Sequence, residues 1–272
     1  MADESITRLA ERVGDIAVAA GQAILEVYRR QDIEVVQKED SSPLTEADLA
    51  SHRVIRDALA DLTPDIPLLS EESADVDHAV RSQWREYWLV DPLDGTKEFV
   101  NRNDEFTVNI ALIRDFEPAF GVVHVPVSGD TYSGIVGSGA TRRPAAGDPV
   151  PIQVQRPCAS PVRVVGSRSH ASPGLKEFLR KLGDYRLLSM GSSLKFCLVA
   201  EGRADFYPRL GPTSEWDTAA AHAVVLAAGG RVVTLEGRAL QYNRKASYLN
   251  PEFLVIGDVE RDWLALFRDY QA

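Results

Sequence analysis

The stretch DPLDGT at 91–96 sets two carboxylates, Asp91 and Asp94, three residues apart around Pro92, with Gly95 close behind. Paired carboxylates do two kinds of chemistry: they relay protons, or they hold a hard cation. The apolar run 87–90 in front of them reads as a strand. Pro92, with φ fixed, and Gly95, with φ free, turn the chain where that strand ends. An Asp-capped turn also explains such a pair on its own. Further acids stand at comparable places. Glu71 and Glu72 follow the short apolar run 66–69, Asp217 opens an Ala-rich helix, and Asp48 lies in the first turn of another. Each has a local explanation: a solvated pair, an N-cap, and a residue favoured by the helix dipole. As a set they gather at strand ends and helix starts, where layered α/β proteins place ligands.

Clustering such groups has an energetic consequence. Two unit charges about 4 Å apart repel by roughly 4 kcal/mol at an effective dielectric of 20. Three or four carboxylates in one place therefore need a counter-charge. The chain has two cysteines, Cys158 and Cys197, and five histidines, so the donors are hard oxygens, which favour Mg²⁺ or Mn²⁺ over Zn²⁺. Mg²⁺ keeps waters and shares its shell with substrate phosphate, which points to a small phosphate ester as partner. The net charge of −10 argues against a nucleic-acid polymer as partner.

Several elements must position these acids. Apolar residues at Ile6, Leu9, Val13, Ile16, Ala20, Ile24 and Val27 step by three and four and predict an amphipathic helix. A second helix opens at 45–48 and ends before Pro64. The β-rich segments 106–113, 120–125 and 131–136 read as an antiparallel meander. Segment 137–150, rich in Gly, Pro, Ala and Arg, reads as a surface loop, with 152–154 closing the sheet. From 161 strands and helices alternate: strands at 162–165, 185–189, 205–207, 232–235 and 254–256, and helices at 173–182, 193–201, 218–228 and 259–268. The fold class expected is layered α/β (α+β type), αβαβα, as one catalytic unit over 1–272. Its N-terminal α+β half covers about 1–156 and its C-terminal α/β half about 157–272. No apolar run approaches the roughly 20 residues that span a bilayer, and no secretory signal is evident. The address expected is cytoplasmic, with contact to the inner membrane face left open, as is a homodimer.

The motifs SEES at 70–73, WLVDPLDGTKEF at 88–99 and EWDTAAAHAVVLAAGG at 215–230, with SPLTEAD at 42–48, closely resemble the inositol monophosphatase superfamily of Mg²⁺-dependent, lithium-sensitive phosphatases. They match in order and spacing across most of the chain. The stretches 94–113, 166–170, 191–209 and 211–224 resemble the bacterial 3'(2'),5'-bisphosphate nucleotidases within it. The loop 137–150 departs from the pattern. The resemblance implies the sugar-phosphatase fold shared with fructose bisphosphatase. It also implies hydrolysis of the 3'-phosphate of adenosine 3',5'-bisphosphate with two or three Mg²⁺ ions, in sulfur assimilation and nucleotide recycling.

By position, the resemblance makes Glu71, Asp91, Asp94, Asp217 and the carbonyl of Leu93 metal ligands, with Asp91 bridging two ions. Spacing alone does not choose between Glu71 and Glu72. Asp48 and Thr96 become the pair that orients and deprotonates the attacking water. The backbone N–H groups of Gly95 and Thr96 suit a phosphate. Glu71, Leu93, Asp94 and Asp217 then border the substrate as well as the metal. His170, Gly191, Ser192, Lys195 and Arg209 match positions that hold the nucleotide and its second phosphate. Without the resemblance, Lys195 and Arg209 would read as plain surface charge. The alternatives are an inositol monophosphatase or fructose 1,6-bisphosphatase of the same fold and, from another class, a non-catalytic Mg²⁺- or nucleotide-binding regulator.

Overall fold

A computed structural model describes residues 4–30, 35–37, 43–166 and 173–267. Helix α1 (Glu4–Tyr28) is followed by a small antiparallel ribbon, β1 (Val35–Gln37) with β2 (Pro43–Thr45), which feeds α2 (Glu46–Leu62). Next come β3 (Leu68–Ser70), the 3-10 turn Glu71–Ser73, α3 (His78–Arg81), β4 (Glu86–Asp94) and the short α4 (Thr96–Val100). The meander is β5 (Thr107–Arg114), β6 (Glu117–His124), β7 (Thr131–Ile135), β8 (Gly139–Arg143) and β9 (Val150–Ile152). With β3 and β4 it makes a seven-stranded sheet in chain order, antiparallel except for the parallel pair β3–β4.

The second sheet draws on β10 (Val162–Gly166), then α5 (Pro173–Leu182), β11 (Tyr185–Ser189), α6 (Leu194–Ala200), β12 (Phe206–Arg209), α7 (Trp216–Ala227), β13 (Arg231–Thr234) and β14 (Phe253–Ile256). Its order is β11-β10-β12-β14-β13, parallel through the first three strands and antiparallel at the last two.

Three hydrophobic clusters separate five layers. Val13, Ala17, Ala20 and Ile24 of α1 bury their stripe with Ile55 and Leu59 of α2 against Trp88, Val90, Ile110 and Val122 of the large sheet. The opposite face, through Leu89, Ala111 and Val123, packs on α6 and α7, which also meet the five-stranded sheet through Val165, Tyr207 and Val255. On that sheet's outer side Phe206 stacks on Trp263, and Phe178 on Phe267. The order is αβαβα, as expected from the sequence.

Two segments differ from expectation. The supposed loop 137–150 contains β8, paired with β7 from Thr131↔Arg143 to Ile135↔Gly139, and its far end belongs to β9. Pairing, not intrinsic propensity, makes this strand, and its arginines find partners: Arg142 ion-pairs with Asp130 and Arg143 with Asp15. The expected terminal helix 259–268 is instead a 3-10 turn at Leu264–Phe267 among the described residues. Burying Trp263 and Phe267 against the sheet takes precedence over helical extension there.

Where α7 crosses the sheet it does so at glycines. A Cβ on Gly121 would stand 2.1 Å from the carbonyl oxygen of Ala220, and one on Gly134 would stand 2.6 Å from Cα of Val224. The helix therefore touches the strands backbone to backbone.

Candidate active site

Residues three apart on a regular strand point to opposite faces. Strand β4 escapes this by a bulge: Asp91 pairs with Asn109 but Asp94 pairs with Thr107, so three residues on β4 span two on β5. The extra residue turns Asp94 to the side already occupied by Asp91, facing α7. The strand thus runs on through DPLD, past its expected end at Val90, and the sharp turn comes at Gly95 (φ +93°), a left-handed conformation suited to glycine. Helix α4 starts directly after it.

Buried Asp91 accepts from the backbone N–H of Leu93 at 3.1 Å. On Asp94 one oxygen, Oδ2, takes four donors: Ser193 N at 2.6 Å, Ser193 Oγ at 2.7 Å, Asn109 Nδ2 at 3.2 Å and Thr107 Oγ1 at 3.4 Å.

Asp48 stands at the third position of α2, in a capping box with Thr45. Thr45 donates to Asp48 Oδ2 from its backbone N at 2.8 Å and its hydroxyl at 2.6 Å. The Thr96 hydroxyl lies 3.3 Å from Asp48 Oδ1 and 3.4 Å from the Leu93 carbonyl. One cap thus fixes a buried carboxylate beside the first residue of α4. Ser51, one turn along α2, donates to the Pro92 carbonyl at 2.7 Å and holds the bulge to the helix.

Glu71 begins the 3-10 turn after β3, capped by Ser70, whose hydroxyl also contacts His52 Nδ1 at 2.9 Å. Asp217 is the second residue of α7, whose capping position is Glu215, so it is a first-turn residue and not the N-cap. Its Oδ2 accepts from Ser214 N at 2.9 Å. Burial raises the pKa of Asp91 well above the usual carboxylate range, and the charges of Glu71, Asp94 and Asp217 push the same way. Burial, Asp94 and Glu71 likewise raise Asp217. Four carboxylates from β4, the loop after β3 and the start of α7 therefore share one electrostatic environment.

Among the described residues no three such groups already stand in a ligating arrangement about one point. The donor chemistry nevertheless fits a hard divalent cation. All the donors are oxygens, burial and repulsion favour protons on Asp91 and Asp217 that an ion would displace, and buried Leu93 adds a backbone carbonyl between Asp91 and Asp94 in the chain.

Beside Asp94 and Asp217 opens a cavity of about 280 Å³, bordered by Gly95, Glu98, Ser192, Lys195, Tyr207 and Arg209. Lys195 is buried, not surface charge. Its Nζ donates to the Ser192 carbonyl at 2.7 Å and lies 5.7 Å from the Tyr207 ring centroid. Arg209 donates to the carbonyls of Gly211, at 3.1 Å, and Pro212, which aims its guanidinium along the same wall. Gly191 N donates to Glu105 Oε2 at 2.7 Å, and Ser192 adopts φ +43°. Burial raises the pKa of Glu98, with Lys195 pulling the other way. His170 lies outside the described residues. Ser193, Asn109, Ser51 and Glu98 escaped the sequence reading, because a serine, an asparagine or a lone glutamate carries no spacing signal of its own.

The sequence profile of the inositol monophosphatase family matches residues 6–264. The chain belongs to the inositol monophosphatase family. Within it, the 3'(2'),5'-bisphosphate nucleotidase CysQ of Escherichia coli K12 is 52% identical over 246 residues, 90% of this chain and 98% of that protein. The protein of the same name from Haemophilus influenzae is 35% identical over 260 residues, 93% of this chain and 94% of its own. The crystal structure of CysQ from Bacteroides thetaiotaomicron, a bacterial member of the family, superposes with a TM-score of 0.81 at 40% identity, covering 94% of this chain and 98% of that one. The family fold extends to the suhB protein of Bartonella henselae, with a TM-score of 0.78 at 23% identity, over 97% of this chain and all of that one.

Proposed function

We propose that this chain is a Mg²⁺-dependent 3'(2'),5'-bisphosphate nucleotidase, converting adenosine 3',5'-bisphosphate to AMP and inorganic phosphate. The observation that carries this reading is the 52% identity to Escherichia coli CysQ across 98% of that protein. Glu71, Asp91, Asp94, Asp217 and the Leu93 carbonyl would hold the ions. Bound Mg²⁺ supplies Lewis-acid chemistry, lowering the pKa of water and offsetting phosphoryl charge. The remaining work falls to the protein. Thr96 accepts a proton from the attacking water at Oγ as its own hydroxyl proton passes to Asp48 Oδ1, 3.3 Å away. The backbone N–H groups of Gly95 and Thr96 steady the phosphate, and Gly191, Ser192, Lys195 and Arg209 hold the nucleotide and its 5'-phosphate in the adjoining cavity. Both halves of the chain contribute ligands, so they act as one catalytic unit. Among the described residues no helix is long and apolar enough to cross a membrane, and a cytoplasmic address is part of this proposal.

Side-by-side turnover of adenosine 3',5'-bisphosphate, inositol 1-phosphate and fructose 1,6-bisphosphate tests the reading. The nucleotide should show the highest kcat/KM. A higher value for either sugar phosphate overturns the substrate, and nucleotide binding without phosphate release overturns the enzyme.

A further inference from the structure

Asp94 is held asymmetrically. Its four donors all address Oδ2, and among the described residues Oδ1 takes no hydrogen bond. A carboxylate with one oxygen saturated and the other open is oriented as a monodentate ligand. The two shortest contacts come from one residue, Ser193, through its backbone N–H at 2.6 Å and its hydroxyl at 2.7 Å. Ser193 is 2% exposed, so water does not compete for these bonds.

Ser193 belongs to the other half of the chain. It sits between Ser192 and α6, on the turn that begins with Gly191 N bonded to Glu105 and ends with Lys195 Nζ bonded to the Ser192 carbonyl. Its hydroxyl accepts from Asn109 Nδ2 at 2.9 Å and stands 2.7 Å from both Asp94 Oδ2 and the backbone carbonyl of Asp217. With a single proton to give, the hydroxyl links β4 and the first turn of α7 through one atom. Displacing the 191–195 turn therefore moves a donor on Asp94, and reorienting Asp94 moves the turn.

We propose that Ser193 is a positioning residue that couples the divalent cation at Asp94 to the nucleotide held by the 191–195 turn. The proposal rests on the metal-dependent nucleotidase reading above. Binding of each partner favours the arrangement of Ser193 that the other needs, and the coupling is reciprocal by thermodynamic necessity. Thr107 also donates to Asp94, but from the sheet and with no bond to Ser193. It supports the carboxylate without reporting on the turn.

Mn²⁺ titrations of the metal-free protein, followed by electron paramagnetic resonance with and without AMP, separate these roles without turnover. In the wild type AMP should tighten Mn²⁺ binding, and Mn²⁺ should tighten AMP binding by the same factor. Ser193→Ala should weaken Mn²⁺ by about tenfold or more and bring the AMP factor close to one. Ser193→Cys keeps the volume with a weaker donor and should show the same pattern, so it carries the test if the alanine variant unfolds. Thr107→Val, which removes a donor to Asp94 that has no bond to Ser193, should weaken Mn²⁺ while keeping the AMP factor. Unchanged Mn²⁺ affinity in folded Ser193→Ala, or an AMP factor equal to that of the wild type, overturns the proposal. So does a wild type whose Mn²⁺ affinity ignores AMP. Failure of the substrate reading is seen separately, as preferred turnover of a sugar phosphate.

Discussion

Asp217→Asn should make the metal-free protein more stable, in a pH-dependent way. Burial, Asp94 and Glu71 move the Asp217 pKa from 3.8 to about 8. The unfolded chain releases this proton near pH 4, whereas the folded chain keeps it until about pH 8. Between those limits the folded state holds more protons, so stability falls as pH rises. At about 1.4 kcal/mol per pH unit, the cost reaches on the order of 4 kcal/mol at pH 7, or about 10 °C in Tm for a chain of this size. Asparagine keeps an acceptor for Ser214 N and removes the charge. Buried His222 and His124, held at about 3 and about 4, act in the opposite sense below pH 6.5. They are common to both proteins and cancel in the difference. Urea denaturation in EDTA from pH 4.5 to 8 should show a variant-minus-wild-type difference that starts near zero and grows with pH. Adding Mg²⁺ at pH 7 should reverse the order. A difference independent of pH, or a wild type more stable throughout in EDTA, refutes the reasoning.

Thr96→Ala should lower kcat by about 10²-fold or more, with Mn²⁺ affinity by calorimetry near that of the wild type; a parallel loss of both would assign Thr96 to ion binding instead. Lys195→Ala should raise KM for adenosine 3',5'-bisphosphate far more than for inositol 1-phosphate, and equal effects on both would remove Lys195 from the nucleotide's second phosphate. Gly121→Ala brings a methyl to 2.1 Å from the Ala220 carbonyl and should destabilise by about 3 kcal/mol or more, read as a fall in urea midpoint; a wild-type midpoint would show that α7 can shift freely.

The acids at strand ends and helix starts were legible because each element carried its own local signal: apolar period, Pro, Gly and a first-turn acid. What the sequence hid was pairing. The bulge that brings Asp94 beside Asp91 depends on the register of β4 against β5, which no window of β4 alone contains. Strand β8 looks like a loop in sequence for the same reason, since Gly139–Arg143 has no alternation of its own and exists by pairing with β7. At the C-terminus, Trp263 and Phe267 reach the second sheet, a tertiary contact that no local signal announces. Ser193 and Asn109 were invisible because their importance lies in what they touch, and their residue types occur everywhere.

The seam between α7 and the large sheet has a bearing on how this scaffold can change. Side chains at an interface can repack, so one substitution is absorbed by its neighbours. At Gly121 and Gly134 main chain meets main chain, and there are no rotamers to adjust. The helix carrying Asp217 is thus seated at a fixed depth on β6 and β7, in the same sheet as β4, which carries Asp91 and Asp94. Variation in substrate would then fall to the far wall, where Glu98, Lys195, and the pair Tyr207 and Arg209 stand on α4, α6 and β12 and meet as side chains. A library aimed at new phosphate esters should diversify that wall and leave the glycine seam alone.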